Sequence, residues 1–352
     1  MKIESILRKS AYVVVGATIV LSAQALITEA YAETKTLTAN YFSTRKSPIW
    51  TGLMKPWIDE VEKASNGTLK IFVPTASLAP APRQWDIVAK GSADIAVTPN
   101  TFKRNILHLT PIAELPFVIF GSQASTVAVT RTHHKHFAKA KEYDSNGMHL
   151  LMPYALAGHV LHSLKGPLTS ISSFKGMKMQ GDPGRPKFTL DALGATAVVA
   201  PGIKIFEMMS KGIVDGAMYP NATTFVFRAG RYVKHVTEVP GKLGNISWSF
   251  IMNKKVYDGL SGEHRRIIDA ASAEKMAFRY GGQQDKQEAF ARQDHMKGGT
   301  KYHTASPELV AEMQKRLAFI TDEWVERANK RGVDGAAALK YFKEQAKAVA
   351  KM

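Results

Sequence analysis

The sequence predicts an α/β protein of two lobes, with a cleft between them and long helices at the C-terminus. Strand-like and helix-like segments alternate along most of the chain, a pattern that indicates parallel sheets covered by helices. The 352 residues are enough for two packed lobes. No low-complexity linker separates the halves, so we expect the chain to cross between lobes more than once. A ligand would lie in the cleft, beyond the carboxyl ends of the strands.

The first 32 residues have the pattern of a secretory signal peptide. Three basic residues precede an apolar stretch, and Ala30 and Ala32 occupy the small-residue positions of a cleavage site. The apolar stretch is under 18 residues long, which favours cleavage over an uncleaved membrane anchor. We therefore expect export to the periplasm and a mature protein that begins at Glu33.

The segment after the signal peptide opens with the strand LTANYF and continues with an amphipathic helix. Ser47 and Pro48 supply its N-cap and first position, and apolar residues recur at helical spacing from Trp50 to Val61. Pro56 is expected to kink this helix because proline removes a backbone donor. The pattern then predicts the strand TLKIFV, the helix RQWDIVAKG and the strand ADIAVTP.

The second half repeats this alternation. We predict strands at HLLMPYAL, FKGMKMQG and TAVVAP, helices at KFTLDALGA and IFEMMSKG, and a further strand end at IVDGAMYP. Residues 307–351 are predicted to be nearly all helical. The expected lobes are 33–155 with about 246–285, and 156–245 with about 286–352.

Several segments in unbroken order over residues 36–330 carry a resemblance to one family. They are WIDEVEKASNGTLKIFV, WDIVAKGSADIAV, ELPFVIF, FKGMKMQ, LDALGA, MMSKGIVDGAMYP and MNKKVYDGLSGEHRRIIDAA. Together they resemble the DctP-type extracytoplasmic solute-binding proteins of tripartite ATP-independent periplasmic (TRAP) transporters. The resemblance implies a monomer with a two-lobed periplasmic binding protein fold and no cofactor. Such a protein captures an organic acid or related small polar solute and delivers it to membrane permease subunits, without catalysis.

The ligand-site positions that the resemblance implies depart from the family pattern. The family usually has an arginine at the end of its Lys-Ile-Arg strand, where a planar guanidinium grips a substrate carboxylate, and this chain has Gln180. A second family arginine corresponds to His159 or Val160. The family asparagine corresponds to Tyr219, although Asn221 follows two positions later.

Other groups can replace the missing arginines. Arg185 begins a predicted helix, whose N-terminal N–H groups also favour an anion, and the alternative is an exposed turn arginine. Gln180 can donate and accept, so it suits an amide, hydroxyl or keto group as well as a carboxylate oxygen. His159 can act as a neutral hydrogen-bonding group or as a cation, or it can be purely structural.

Aromatic residues collect at the expected cleft mouth. We expect Tyr219 and Trp248 to contact the ligand, and Tyr154 and Tyr41 are further candidates, because such rings cover an apolar ligand body and keep a polar handle. This favours an aromatic or partly apolar acid over a small dicarboxylate.

Composition and motifs exclude or disfavour other classes of function. Without cysteine there is no disulfide framework or thiolate chemistry, and the net charge of +17 favours an anionic partner. The histidines at 133, 134 and 136 lie in a basic segment without carboxylate ligands, so no metal site is predicted. Export removes nucleic acid as a partner, and no nucleotide-binding or hydrolase motif is present. The alternative is a periplasmic enzyme or a partner-binding protein on the same two-lobed scaffold.

Overall fold

The computed structural model describes residues 34–272 and 274–352. They form a mixed α/β fold with two sheets, which confirms the predicted fold class. The signal peptide predicted at 1–32 lies outside the described residues. Within them, no helix has both the length and the apolar character that a membrane span requires.

The strands and helices are numbered in chain order. The strands are β1 (Lys35–Asn40), β2 (Leu69–Phe72), β3 (Ile95–Pro99), β4 (Met148–Ala155), β5 (Val160–Ser163), β6 (Lys178–Gly181), β7 (Thr196–Val199), β8 (Gly216–Tyr219), β9 (His235–Glu238), β10 (Ser247–Asn253) and β11 (Lys301–Thr304). The α-helices are α1 (Lys55–Ala64), α2 (Gln84–Ala89), α3 (Ser122–Thr132), α4 (Arg185–Leu193), α5 (Ile205–Ser210), α6 (Asn221–Val226), α7 (Lys254–Asp258), α8 (Gly262–Ala271), α9 (Glu274–Lys297), α10 (Pro307–Asn329) and α11 (Gly335–Val349).

The first sheet has the order β2-β1-β3-β10-β4, and the second has the order β11-β9-β5-β8-β6-β7. Both sheets are mixed: the expected parallel pairing holds for five strand pairs and fails at the four pairs made by β5 and β10. In the first sheet β10 runs antiparallel to β3 and β4, and in the second β5 runs antiparallel to β8 and β9. The physical reason is the connection: β5 and β10 enter their sheets directly from the other sheet, without the crossover helix that makes neighbours parallel.

The chain crosses between the sheets at residues 156–159, between β4 and β5, and at 239–246, between β9 and β10. It returns to the second sheet through α9 and β11. The long C-terminal helices are present as predicted, with α10 packed against α4 and α11 packed against α3. The lobe boundaries stay a prediction.

Helix α9 is fixed to both halves of the fold by two carboxylates one turn apart. Asp285 accepts hydrogen bonds from the backbone N–H groups of Ser122 (2.6 Å) and Gln123 (2.9 Å) at the start of α3. Glu288 accepts from the backbone N–H groups of Asn221 and Ala222, at 2.8 Å each, at the start of α6. Carboxylates at these positions satisfy helix N–H groups that have no partner within their own helix.

Each half of the fold has a buried tryptophan that ties a helix to its core. Trp57 of α1 packs edge-on against Phe250 of β10, with ring centroids 5.0 Å apart, and its indole donates to Ser272 Oγ at 3.0 Å. Trp324 of α10 is fully buried and donates to the Leu109 carbonyl at 3.2 Å. Truncating such a side chain to alanine costs about 3–5 kcal/mol, so these contacts hold the helices firmly against the sheets.

The irregularity predicted at Pro56 takes the form of a π-helical turn. This turn spans Trp50–Met54 and runs directly into α1, so Pro56 lies in the first turn of α1. The helix is continuous from residue 48 to 64, so proline removes an N–H that would have bonded the preceding turn, and the wider hydrogen-bond spacing of the π-helical turn accommodates the loss.

Candidate ligand-binding cleft

Strand ends of the two sheets meet at a cleft. The crossings at 156–159 and 239–246 join the end of one sheet directly to the end of the other, which brings these edges together. From the first sheet come Tyr41 after β1, Tyr154 in β4 and Trp248 in β10; from the second come His159 before β5, Gln180 in β6, Tyr219 at the end of β8 and Arg185 at the start of α4. The topology therefore places seven of the predicted site residues near the edges of the two sheets that the crossings join.

Arg185 is buried and forms an ion pair, which excludes the alternative of an exposed turn arginine. Its Nη1 donates to Glu114 Oε2 at 2.6 Å, and the two side chains are only 10% and 6% exposed. The other oxygen of Glu114 accepts from Ser247 Oγ of β10 at 2.8 Å. Nearby, Thr101 Oγ1 donates to the Pro183 carbonyl at 2.8 Å. The segment that follows β6 is thus bonded to Thr101, which follows β3, and through Glu114 to Ser247 of β10.

The sequence prediction missed Arg104, which lies beside this ion pair. Its guanidinium packs against Gly184, immediately before α4, so closely that a Cβ on Gly184 would overlap Nη1. Among the described residues Arg104 has no hydrogen-bonding or ion-pair partner. Burial lowers its pKa, which Glu114 partly offsets and Arg185 reinforces.

Two arginines therefore share one carboxylate, which leaves one positive charge without a partner in a partly buried place. The charges of Glu323 and Arg327 on α10 act on Arg104 in opposite directions. The N-terminus of α4 adds its own positive potential. Charge, burial and helix polarity together favour an anion here. The sequence feature that could have pointed to Arg104 is the basic pair Lys103–Arg104, which follows the carboxyl end of β3.

At the second sheet, Gln180 and Tyr219 lie against the loop that follows β7. Gln180 Nε2 donates to the Pro201 carbonyl at 3.1 Å and contacts the Ala200 carbonyl and the Tyr219 hydroxyl at 3.4 Å. The Tyr219 hydroxyl donates to the Ala200 carbonyl at 2.8 Å. Gln180 Oε1 is buried and has no partner among the described residues.

Asp182 is a second residue that the sequence prediction missed. It directly follows β6, and burial raises its pKa to about 7, an effect opposed by the Gly202 backbone N–H and the Tyr219 hydroxyl. No lysine or arginine among the described residues contributes to this pKa. The group formed by Gln180 and Asp182 therefore lacks a cation, whereas positive charge is in excess at Arg104 and Arg185.

His159 is fully buried next to Tyr219, with ring centroids 6.3 Å apart in an edge-on arrangement. Burial lowers its pKa to about 3, so the imidazole is neutral at physiological pH. Of the two roles considered for a ligand-contacting His159, the structure favours the neutral hydrogen-bonding group over the cation.

The first sheet contributes a stack of aromatic rings. Trp248 stacks against Phe42 and Tyr154, with centroids 6.1 Å and 5.9 Å apart, and Tyr154 meets Tyr280 edge-on at 5.0 Å. The Tyr154 hydroxyl and Trp248 Nε1 have no partner among the described residues. The Tyr41 hydroxyl is engaged by Ser47. Apolar ring faces and unpartnered donors thus occur in the same wall.

Asn221 does not join this group. Its Nδ2 donates to Glu288 Oε1 at 2.9 Å, and its Oδ1 accepts from the Tyr302 hydroxyl at 3.0 Å and contacts His162 Nε2 at 3.2 Å. These bonds tie Asn221 to α9 and to the interior of the second half of the fold. They give Asn221 a structural role, and its predicted ligand contact stays a prediction.

Two mixed α/β lobes that face each other across a cleft with an unbalanced positive charge define a two-lobed solute-binding protein. Residues 39–328 match the model of the DctP family, described as bacterial extracellular solute-binding protein, family 7. The chain belongs to this family, which confirms the resemblance seen in the sequence and makes the chain a TRAP-type solute-binding protein.

Individual relatives agree with the assignment. The chain is 34% identical over 319 residues, 90% of its length and 93% of the relative's, to the outer membrane transporter protein TsaT of Comamonas testosteroni. A TRAP periplasmic solute-binding protein of Bordetella bronchiseptica with bound (R)- and (S)-mandelate superposes with a TM-score of 0.83 at 24% identity, covering 90% of this chain and 99% of that one. A marine metagenome TRAP protein specific for aromatic acid ligands, in complex with 3-hydroxybenzoate, superposes with a TM-score of 0.78 at 28% identity, covering 89% of this chain and 98% of that one. Proteins of this family are solute receptors, which supports the main interpretation over the alternative of an enzyme or partner-binding protein.

Proposed function

We propose that this chain is the periplasmic receptor for an aromatic carboxylic acid and that the ligand carboxylate binds at Arg104 and Arg185. The observation that carries the proposal is the charge imbalance at the start of α4, where two arginines share Glu114. A ligand carboxylate supplies the missing negative charge, and guanidinium groups bind carboxylates through paired hydrogen bonds.

The same geometry links binding to closure. Arg104 follows β3 of the first sheet, whereas Arg185 begins α4 beside the second. A carboxylate held by both arginines would therefore contact both lobes at once. Such contacts exist only in the closed form, so the ligand shifts the equilibrium towards closure and creates the shape that a permease recognises.

The aromatic character of the ligand rests on two supports. The stack of Phe42, Trp248 and Tyr154 offers ring faces in the cleft wall. In addition, two structures of the marine metagenome protein, 27% and 28% identical to this chain, hold metahydroxyphenylacetate and 3-hydroxybenzoate. Aromatic pairs of this kind are worth about 0.5–1.5 kcal/mol beyond the apolar area they bury.

The cellular setting follows from the sequence pattern and the family. Residues 1–32 act as a cleaved signal peptide, the mature protein is a periplasmic monomer in the two predicted lobes, and it passes its ligand unchanged to TRAP permease subunits. Mass measurement of exported protein should place the N-terminus at Glu33. Incubation with the tightest ligand should release no product in proportion to protein.

Thermal unfolding with a panel of organic acids tests the binding site. A ligand present at 100 times its dissociation constant stabilises the protein by about 2.7 kcal/mol. Aromatic monocarboxylates should raise the unfolding temperature of the parent, and Arg104→Ala should remove this shift. Arg104 is the cleaner target, because Arg185→Ala also strips Glu114 of its partner. The exposed Arg316→Ala, whose guanidinium pairs with Glu312, is the matched control and should keep the shift. An Arg104→Ala protein that is stabilised as much as the parent would refute the assignment.

A further inference from the structure

Gln180 is held in one orientation by its surroundings. Its Nε2 faces the carbonyls of Ala200 and Pro201, which accept and cannot donate. Rotating the amide by 180° would place Oε1 against these two acceptors, so the structure fixes Nε2 towards the loop. The opposite end, Oε1, is then left as a buried acceptor without a partner among the described residues.

An unpartnered buried acceptor needs a donor. Leaving such a group unsatisfied costs about 1–3 kcal/mol, and buried polar side chains in folded proteins almost always have partners. An ionised carboxylate has no proton to donate. A hydroxyl group does, and it carries no charge that would have to be compensated in this buried place.

Asp182 is a second reason to expect a ligand hydroxyl group, and not a second carboxylate, beside Gln180. It is buried two residues beyond Gln180, and no lysine or arginine among the described residues forms an ion pair with it or shifts its pKa. A second ligand carboxylate here would face Gln180 Oε1, which only accepts, and the Asp182 carboxyl group, which carries a like charge when it is ionised. The site thus combines a cationic group, Arg104 and Arg185, with a cation-free group, Gln180 and Asp182.

We propose that Gln180 Oε1 accepts a hydrogen bond from a ligand hydroxyl, and that Gln180 and Asp182 together make the protein select hydroxylated monocarboxylic acids over dicarboxylic acids. This inference rests on the proposed function, because it presumes that the ligand's single carboxylate is bound at the arginines.

The test uses calorimetry on the mature protein with four matched acids: benzoate, 3-hydroxybenzoate, 4-hydroxybenzoate and benzene-1,3-dicarboxylate. At least one hydroxybenzoate should bind ten-fold or more tightly than benzoate, and the dicarboxylate should bind most weakly. Gln180→Leu should abolish the advantage of the hydroxyl group, so that benzoate and the hydroxybenzoates bind this variant with similar affinity. Gln180→Arg, which adds a cation beside Asp182, should raise the affinity for the dicarboxylate relative to the parent. Gln283→Leu on α9, whose amide bonds the Thr51 hydroxyl at an exposed site, is the control and should leave the ranking unchanged.

The outcomes separate this inference from the proposed function. If benzoate and both hydroxybenzoates bind the parent equally, or if the dicarboxylate binds more tightly than benzoate, the inference is overturned and the carboxylate site at the arginines stands. If none of the four acids binds, the proposed function fails and the inference fails with it. The order in which the parent protein binds the four acids tests the inference even where a Gln180 variant does not fold.

Discussion

Replacing Glu114 by glutamine tests the charge arrangement of the cleft. In the parent, Glu114 Oε2 accepts from Arg185 Nη1 at 2.6 Å with both side chains almost fully buried. Glutamine keeps the shape and an oxygen for Ser247, but it puts an uncharged group against Arg185 and leaves both arginines without a carboxylate. Removing one partner of a buried ion pair costs about 3–5 kcal/mol. At the low end, and at about 2 °C for each kcal/mol in a chain of this size, the unfolding temperature should fall by roughly 6 °C.

The same variant should respond more strongly to ligand. Without Glu114, a ligand carboxylate no longer competes for the two guanidinium groups and relieves a larger unpaired charge, so the rise in unfolding temperature on adding ligand should exceed that of the parent. Scanning calorimetry with and without an aromatic acid measures both effects. Glu312→Gln removes an exposed partner of Arg316 and should change neither. An unliganded Glu114→Gln protein as stable as the parent, or one that ligand no longer stabilises, would refute the reasoning.

Three further predictions follow from single contacts. Gly184→Ala should weaken carboxylate binding in calorimetry, because Gly184 has a φ of +97° and a Cβ would displace the Arg104 guanidinium; unchanged affinity would count against the site. Glu288→Gln should lower the free energy of unfolding in urea by about 2 kcal/mol, since it weakens charged hydrogen bonds to α6, and a parent-like urea curve would contradict this. His159 has a pKa lowered to about 3, so its unfolded form binds a proton first and stability falls as the pH drops below 6.5, by about 2 kcal/mol at pH 5. His159→Asn should lose that part of the pH dependence, and an unchanged slope between pH 7 and 5 would disprove the assignment.

The fold was predictable where apolar periodicity was long enough to show. The predicted strands at LTANYF and ADIAVTP correspond to β1 and β3, and the apolar face of residues 307–351 resolves into α10 and α11. The strands β5, β9, β10 and β11 were not predicted. Strands β5, β9 and β11 have four residues each and therefore only two side chains on each face, and the seven-residue β10 is buried on both faces, so none of them gives a clear alternating pattern. Their pairing is set by the crossings between the sheets, which local sequence does not encode.

The site residues that could be predicted differ from those that were missed in a similar way. Gln180, Tyr219 and Trp248 could be placed at the cleft because each lies near the end of a strand whose pattern or family resemblance was visible. Arg104 and Asp182 were missed because their significance lies in contacts that no local pattern contains. Arg104 matters because it packs against Gly184, far along the chain, and Asp182 because burial isolates it from any cation.

The location of positive charge explains why ligand recognition was only partly predictable from the sequence. The net charge of +17 indicates an anionic partner but cannot say where the anion binds, since most lysines and arginines lie on the surface, where water and salt screen them. Burial strengthens the interaction of such a charge with an anion, because the unpaired charge at Arg104 and Arg185 acts in a medium of lower dielectric, beside the N-terminus of α4. The arginine that the family usually places at the position of Gln180 has therefore not been replaced in kind at that strand. The unpaired positive charge instead lies at Arg104 and Arg185, and Gln180 presents an acceptor, so the two groups together fit the proposed ligand with one carboxylate and one hydroxyl group.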